Sequence, residues 1–310
     1  MAEKPIEKPA RKEPYVPMVV NRSPIRKDVV GKAGEFIDDF ILALDSKLIY
    51  NKMGVNSDKT FLITGKPGTG KSLGIEAIIN EANKELWNQE EDDRYFELIG
   101  MSYDIGKYGT AYINMGSKIA QGFFDYCYGL STLQDVVIVL DEAEVLFGKR
   151  QNVKSHNEDH KLLDTIMKNV QQVHDTPNLY AVLMSNYPDA FDEASIRSGR
   201  IDKRYEFLMP NYEERKIAFK HTVNQINERA QYQVVRNYDL DTLSEMSNNF
   251  SYADIVESVK SAVKLRASQI SKKISGRVVT AGYIRQNRLE DSIIEHAINF
   301  KSKKNAIGFK

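Results

Sequence analysis

A glycine-rich segment directly after an apolar run is the feature that most constrains the fold of this chain. The run TFLIT at 60–64 is followed by GKPGTGKS at 65–72, which fits the pattern G-x-x-x-x-G-K-[ST]. Glycines let the backbone curl so that successive N–H groups face an anion, and a following helix adds its positive N-terminal end. A chance glycine-rich turn is the alternative. Because a helix-patterned segment follows at 73–87, we favour a phosphate-binding loop.

Two residues at the end of this loop carry its chemistry. The Lys71 ammonium is placed to reach the β- and γ-phosphates of a nucleotide, and the Ser72 hydroxyl is placed to ligate Mg²⁺. The sequence therefore predicts a nucleoside triphosphate, ATP in our interpretation, and Mg²⁺ as cofactors. The loop residues predicted to contact the nucleotide are Gly65, Pro67, Gly68, Thr69, Gly70, Lys71, Ser72 and Leu73.

Five short apolar runs alternate with helix-patterned segments. Continuous apolar strands separated by helices are typical of a parallel sheet that is covered on both faces. We therefore expect an α/β fold with a parallel five-stranded sheet, followed after Pro210 by a small all-α lid domain. The predicted strands are TFLIT (60–64), YFELI (95–99), VVIVL (136–140), LYAVLMS (179–185) and YEFLM (205–209).

Changes in composition suggest the domain boundaries. Prolines and charges crowd the first 22 residues, whereas no proline follows Pro210 and helix-start signals appear there. These signals are NYEE, which offers Asn211 as an N-cap, and SYAD, which offers Ser251. We predict a flexible tail at 1–22, a nucleotide-binding α/β domain at 23–209, a helical lid at 210–299 and a tail at 300–310.

Overall composition gives few hints about partners. Lys plus Arg and Asp plus Glu both number 43, so net charge favours neither a nucleic-acid nor a membrane partner. The single cysteine, Cys127, has no internal disulfide partner, which suits a reducing compartment. No stretch approaches the roughly 18 apolar residues of a membrane helix, and the first 30 residues do not resemble a signal peptide. We expect a cytoplasmic protein without a membrane anchor.

Two carboxylates, Asp141 and Glu142, follow the third apolar run. The carboxyl ends of parallel strands are where open α/β sheets bind their ligands. One carboxylate can hold Mg²⁺ through water, and the next can polarise an attacking water molecule. A solvated acidic turn is the alternative, and the phosphate loop makes it the weaker one.

Together these segments resemble the AAA ATPase family over about residues 28–266. GKPGTGKS resembles the family's Walker A motif, with Lys66 where proline is usual, and IVLDEAE resembles its Walker B motif. DVVG at 28–31 resembles the entry motif beside the adenine and implies that Gly31 lies there. LMSN ends at Asn186, the sensor-1 position, where an amide would help to place the attacking water. The Walker B resemblance assigns the metal to Asp141 and water activation to Glu142.

The segment FDEASIRSGRIDKRYEF at 191–207 resembles the family's second region of homology. Arg197 and Arg200 fall on its two arginine-finger positions, and a planar guanidinium suits the charge that develops on a transferring phosphoryl group. In the family these arginines serve the neighbouring subunit's nucleotide, which implies a ring, usually a hexamer. Exposed arginines in ordinary salt bridges are the alternative.

The predicted lid carries two further points of resemblance. FKHTV places His221 where the family has a histidine near the ribose, although a surface histidine is the alternative. NNFSYADIVESVKSAVKLRA at 248–267 resembles the family's lid helix, with Tyr252 in place of the usual glycine beside the adenine. The resemblance therefore implies a tighter base pocket.

Tyrosines between the second and third apolar runs suggest how a client could be gripped. The family threads polypeptide through a central pore with an aromatic-hydrophobic loop. Tyr112 with Ile113 stands twelve residues before Phe124, and Tyr108 follows a lysine. We favour Tyr112 with Ile113, keep Tyr108 as a second candidate, and note packing at a subunit contact as the alternative.

A basic span at 260–288 holds eight Lys or Arg and no acid. It is either a nucleic-acid groove or, as we favour, a solvated lid surface or ring contact.

The resemblance implies an ATP-hydrolysing homo-oligomer that remodels a protein or protein complex. The rival hypotheses are a nucleic-acid-handling motor and an adaptor that uses nucleotide as a switch with little turnover.

Overall fold

The computed structural model describes residues 15, 17, 18, 26, 29, 31–84, 97–106, 116–145, 157–191, 201–271 and 284–306. In these ranges an α/β domain is followed by a helical unit. The strands are β1 Thr60–Thr64, β2 Leu98–Asp104, β3 Asp135–Asp141, β4 Leu179–Ser185 and β5 Lys203–Glu206. The α-helices are α1 Lys32–Asp45, α2 Lys47–Lys52, α3 Lys71–Ala82, α4 Gly116–Ser131, α5 Asn157–Gln172, α6 Tyr212–Ala230, α7 Leu240–Met246, α8 Tyr252–Ser271 and α9 Gln286–Ala306.

The sheet has the strand order β2-β3-β4-β1-β5, and each neighbouring pair is parallel. In the register of the central strands, Leu62 of β1 lies opposite Leu183 of β4, and Ile138 of β3 lies opposite Ala181. The carboxyl ends of β1, β4 and β3 therefore meet at one edge of the sheet. The predicted fold class, a parallel five-stranded sheet followed by a helical region, is confirmed.

Both faces of the sheet are buried, which explains the continuous apolar runs. Alternate residues of a strand point to opposite faces, and in β3 Ile138 belongs to the core that includes Phe124 of α4 and Ile166 of α5. Its neighbour Val137 belongs to the other core, which includes Phe36 of α1. A strand covered by helices on both sides has no face on which a polar residue could reach water.

The two edge strands differ from their predicted bounds. β2 begins at Leu98 and runs to Asp104 instead of covering 95–99, and residues 95 and 96 lie outside the described ranges. β2 alternates between more and less buried residues, so its apolar run marked only one end of it. β5 occupies Lys203–Glu206 instead of 205–209. Phe207 is buried beside the phosphate loop, where its N–H donates to the Thr64 carbonyl at 2.7 Å.

Part of the predicted N-terminal tail is packed against the sheet edge. The Met18 N–H donates to the Gly100 carbonyl of β2 at 2.8 Å, and the Tyr15 ring lies edge-on to Phe123 with centroids 5.4 Å apart. An open strand edge offers unpaired backbone groups, which explains the Met18 contact, and the extent of the predicted flexible tail over 1–22 stays a prediction. At the other end, α9 continues to Ala306, past the predicted tail start at 300.

The helical unit encloses a core of its own. Phe219 of α6, Leu243 of α7, Ile255 of α8 and Ile293 of α9 are buried together. Both predicted helix starts form with reciprocal capping hydrogen bonds, Asn211 with Glu214 and Ser251 with Asp254. In the part of the chain that the structure describes, no helix is both long and apolar enough to cross a membrane.

Candidate nucleotide-binding cleft

A cleft of about 650 Å³ lies between the carboxyl edge of the sheet and the helical unit. The phosphate loop forms one wall, and α6 and α8 form the opposite wall. The fold thus brings most of the predicted nucleotide contacts to one place. The predicted site residues that line the cleft are Pro67, Gly68, Thr69, Gly70, Lys71, Ser72, Leu73, Asp141, Asn186 and His221.

The phosphate loop has backbone geometry that only glycine adopts without strain. Gly68 has φ +82° and Gly70 has φ +96°, both in the left-handed region. Gly70 is the N-cap of α3, so the first helical N–H groups begin at Lys71. Because strand, curled loop and helix N-terminus follow in that order, the loop has the geometry expected of an anion site.

Lys71 is held at the centre of this loop. Its Nζ donates to the carbonyl of Gly65 at 2.6 Å, to the carbonyl of Lys66 at 3.1 Å and to Oδ1 of Asn186 at 2.8 Å. Burial lowers the pKa of Lys71, and the nearby negative charge of Asp141 opposes that shift. The ammonium therefore lies beside carbonyl and amide oxygens of the protein, and phosphate oxygens of a bound nucleotide could take their place as hydrogen-bond acceptors.

The pairing of β1 with β4 explains why Lys71 meets Asn186. The Gly65 N–H donates to the Ser185 carbonyl at 3.1 Å, which extends the sheet by one bond beyond the strands. Asn186, the next residue, is therefore fixed next to the loop. Its placement beside the transferring phosphate and its catalytic role stay predictions.

Asp141 and Glu142 lie at the end of β3, on the same edge. Glu142 has φ 55°, an unusual left-handed value for a residue with a side chain, and its N–H donates to Asp141 Oδ1 at 2.8 Å. Such strained residues cluster at functional sites. Glu142 is exposed, but slight desolvation raises its pKa, and the negative charges of Asp104 and Asp141 raise it further.

The carboxylate of Glu142 is turned towards the end of β2. A Cβ at Gly106 would collide with Glu142 Oε2, so the side chain rests against this backbone. Sequence reasoning missed Asp104, which lies beside it. In the sheet it lies opposite Asp141, and its only signal in the sequence was an acid shortly after the second apolar run.

Ser72 and Asp141 offer oxygen ligands of the kind that Mg²⁺ prefers. Magnesium is usually held by one or two carboxylates together with substrate phosphates and water. Both residues line the cleft beside Lys71. Within the described ranges no group of three or more His, Cys, Asp or Glu side chains is arranged to hold a metal by itself. The donor set therefore suits a metal that arrives with a nucleotide.

The far end of the cleft is built from three separate segments. Val29 and Ala33 come from the start of the α/β domain, Ile217 and His221 from α6, and Tyr252 from α8. His221 lines this end of the cleft, and its contact with the ribose stays a prediction. Gly31 lines a second, smaller pocket that Tyr252 also lines. The sequence analysis missed Ile217, whose only signal was its position one helical turn before His221.

A second contact ties the helical unit to the phosphate loop. The Ala253 N–H donates to the Gly68 carbonyl at 3.2 Å, and a Cβ at Gly68 would collide with Ser251 Oγ. Ser251 Oγ donates to Asp254 Oδ2 at 2.7 Å, and His296 Nε2 lies 3.0 Å from Asp254 Oδ1. Burial alone would raise the pKa of Asp254, but hydrogen bonds from Ser251 and His296 hold it below its ordinary value.

The remaining predicted functional residues are the arginine fingers, the pore-loop candidates and the basic span. Arg197 and Arg200, and the pore-loop candidates Tyr108, Tyr112 and Ile113, lie outside the described residues. In the basic span, Lys260 lines the cleft and Lys264 forms an ion pair with Glu257 at 3.2 Å. The roles of these residues stay predictions.

Comparison with known proteins agrees with this geometry. Residues 61–209 match the model of the "ATPase family associated with various cellular activities (AAA)". A proteasome-activating nucleotidase of Saccharolobus islandicus is 22% identical over 255 residues, which cover 80% of this chain and 59% of that protein. The ATP-dependent zinc metalloprotease FtsH of Karelsulcia muelleri is 26% identical over 253 residues, which cover 80% of this chain and 37% of that protein.

The chain thus spans less than two thirds of the length of these relatives. The matched segment runs from β1 to the residues after β5 and contains the phosphate loop, Asp141 and Asn186. The strand order, the loop geometry and this match agree with one another, and residues 61–209 of the chain form a domain of the AAA ATPase family.

Proposed function

We propose that this protein binds ATP with Mg²⁺ in the cleft and hydrolyses it. The observation that carries the proposal is the contact of Lys71 Nζ with Asn186 Oδ1, with Asp141 lining the same cleft and Glu142 next to it. Cation, amide and carboxylates converge where three parallel strands end. This is the combination that phosphoryl transfer requires, since its catalysis depends on positioning and charge neutralisation.

Each residue has a role in this mechanism. Lys71 balances charge on the β- and γ-phosphates, and Ser72 and Asp141 would hold Mg²⁺, which would supply further positive charge to the phosphate oxygens. Glu142 polarises the attacking water, and Asn186 orients it. His221 and Tyr252 border the ribose and base.

Replacing Glu142 by glutamine tests the hydrolytic role. Glu142→Gln keeps the shape of the side chain and removes its proton-accepting oxygen, so ATP should bind while turnover falls by about 10²–10⁴-fold. Calorimetry measures binding, and phosphate release measures turnover. Glu245→Gln, an exposed position in the helical unit, is the matched control and should behave as the parent does. A Glu142→Gln protein that retains more than about a tenth of the parent rate contradicts the assignment.

We infer further that the active form is a ring, in which Arg197 and Arg200 act on the neighbouring protomer's nucleotide. Mixing Arg200→Ala protomers with Lys71→Ala protomers, each inactive alone, should restore some activity. In a mixed ring, some subunit interfaces combine the intact phosphate loop of an Arg200→Ala protomer with the intact Arg200 of a neighbouring Lys71→Ala protomer. Fluorescence transfer between labelled protomers must first confirm that subunits exchange. If the rings mix and no activity returns, the arginines do not act between protomers as proposed.

The work that hydrolysis drives is, in this proposal, the remodelling of a protein client. Support comes from the relatives, one named a proteasome-activating nucleotidase and another an ATP-dependent metalloprotease. A reducing compartment such as the cytoplasm suits the buried thiol of Cys127.

An unfolded protein should stimulate turnover, and Tyr112→Ala should abolish that stimulation while basal turnover persists. If Tyr108→Ala abolishes the stimulation and Tyr112→Ala does not, the pore residue is Tyr108. Stimulation of turnover by DNA or RNA, and not by unfolded protein, would favour a nucleic-acid motor.

A further inference from the structure

Tyr252 stands between two cavities. It lines the 650 Å³ cleft and also a second pocket of about 150 Å³ behind it. The second pocket is further lined by Gly31, Phe207, Met209 and Glu214, where the α/β domain meets the start of α6. Ala33 and Thr69 are the other residues that border both spaces. Of these three, Tyr252 has the largest side chain, so it forms most of the partition.

The position of Tyr252 is fixed through a helix cap. Glu214 Oε2 accepts the Asn211 N–H at 2.9 Å as part of the capping box of α6. The same carboxylate accepts the Tyr252 hydroxyl, and together with burial this raises the pKa of that hydroxyl, so Tyr252 stays protonated and donates. The Glu214 side chain is also close to Gly31, since a Cβ added there would lie 2.5 Å from Glu214 Oε1.

We propose that Tyr252, held by Glu214, is the wall that limits the base end of the cleft and excludes nucleotides with a bulky substituent on the base amino group. The inference rests on the proposed binding of ATP in this cleft. In this binding mode the base lies in front of the Tyr252 ring with its amino group towards it, so a substituent on that group needs the space that the ring occupies. Tyr252 is therefore a specificity-determining residue that contacts the base.

The second pocket has the volume that such a substituent needs. A cavity of about 150 Å³ is large enough to hold a benzene ring, and removal of the phenol would join this space to the cleft. Glu214 would remain anchored by the Asn211 N–H at 2.9 Å after the tyrosine is lost. Tyr252→Ala should thus convert a closed base site into one that admits N6-benzyl-ADP.

The experiment measures the affinities of ADP, N6-methyl-ADP and N6-benzyl-ADP by competition with a fluorescent ribose-labelled ADP. In the parent protein, affinity should fall with substituent size, and Tyr252→Ala should improve the affinity for N6-benzyl-ADP relative to ADP by about tenfold or more, as pocket size discriminates by roughly 10–200-fold per group. Tyr252→Phe is the matched control. It keeps the ring and loses only the hydroxyl, so it should still reject the benzyl compound.

The outcomes separate this inference from the proposed function. Failure of the parent protein to bind ADP at all would overturn the nucleotide site itself. If ADP binds and the parent accepts N6-benzyl-ADP equally well, Tyr252 is not a wall, whatever the variants do. Equal selectivity in Tyr252→Ala and the parent, with ADP binding retained, also overturns the inference. The parent series keeps the test decisive even if Tyr252→Ala fails to fold.

Discussion

The two ends of the cleft are built in different ways. The phosphate end is one continuous segment, in which β1, the loop and α3 follow each other over residues 60–82. The opposite end, where we propose that the base lies and which we call the base end, is assembled from three distant segments that supply Val29, Ala33, Ile217, His221 and Tyr252. The first end is determined by local backbone geometry, whereas the second exists only when the helical unit is docked.

This difference indicates which end should respond to lid movement. The loop contacts the helical unit through Gly68, which accepts the Ala253 N–H, and through Ser251, which packs on it. These contacts connect the two ends. We therefore expect substitutions at the phosphate end to affect binding and chemistry directly, and substitutions at the contact to affect docking and stability.

The largest effect is expected from Lys71→Ala. Loss of the ammonium removes charge-assisted hydrogen bonds to two phosphates, each contributing about 1.5–3 kcal/mol, so affinity for ATP should fall by about 10²–10⁴-fold. Calorimetry with a non-hydrolysable ATP analogue measures this affinity. Lys66→Ala is the control, because that side chain is exposed and only its carbonyl contacts Lys71. Near-normal affinity in Lys71→Ala would contradict the assignment of the loop.

A smaller effect, limited to turnover, is expected from Asn186→Ala. In the proposed mechanism the amide orients water during phosphoryl transfer, and loss of one such polar group commonly lowers the rate by about 10²-fold. Affinity for ATP should change little. Single-turnover phosphate release measures the rate, and calorimetry measures the affinity. Tyr187→Ala, at the exposed next position, should retain the parent rate. A large loss of affinity in Asn186→Ala would mean that the residue mainly positions Lys71.

Gly68→Ala tests the contact between the two ends. Gly68 and Gly70 both have positive φ, so an alanine costs about 1–2 kcal/mol at either position. A Cβ at Gly68 would also collide with Ser251, whereas a Cβ at Gly70 meets no atom within 4 Å. Gly68→Ala should lose a further 1–3 kcal/mol or so of unfolding free energy. Urea unfolding of the nucleotide-free protein measures the unfolding free energies of Gly68→Ala and Gly70→Ala. Equal losses would show that the contact does not stabilise the docked lid.

The smallest effect is expected from Asp254→Asn, and it depends on pH. Because the folded-state pKa of Asp254 is below its ordinary value of 3.8, the carboxylate stabilises the folded chain above that value. The contribution is lost as pH falls through the lowered pKa. At pH 7 the variant should lose about 1 kcal/mol through the weakened helix cap, and the difference from the parent should shrink below about pH 4.

Urea unfolding at both pH values measures this difference. Asp291→Asn on the exposed surface of α9 is the control and should match the parent at both. The charged and polar groups that face Asp254 are Ser251 on its own cap and His296 on α9. A difference that grows on acidification would show that the carboxylate is not the stabilising form.

The sequence by itself determined the phosphate end and the central sheet. Positive φ at Gly68 and Gly70, the helix start at Lys71 and the caps at Asn211 and Ser251 depend on neighbouring residues only, and each was readable from a short pattern. The central strands were predicted closely for a similar reason. A strand buried on both faces must be apolar throughout, and this leaves a continuous run in the sequence.

Only the tertiary structure decided the edges of the sheet and the base end of the cleft. β2 is an edge strand with partly exposed positions, so its bounds follow from pairing with β3 and not from its own pattern. The contacts of Tyr252 with Glu214, of Lys71 with Asn186 and of Met18 with β2 join residues far apart in the chain. Local dihedral preferences and periodicity do not encode such pairs, because they form only when separate elements pack and bury their apolar faces together.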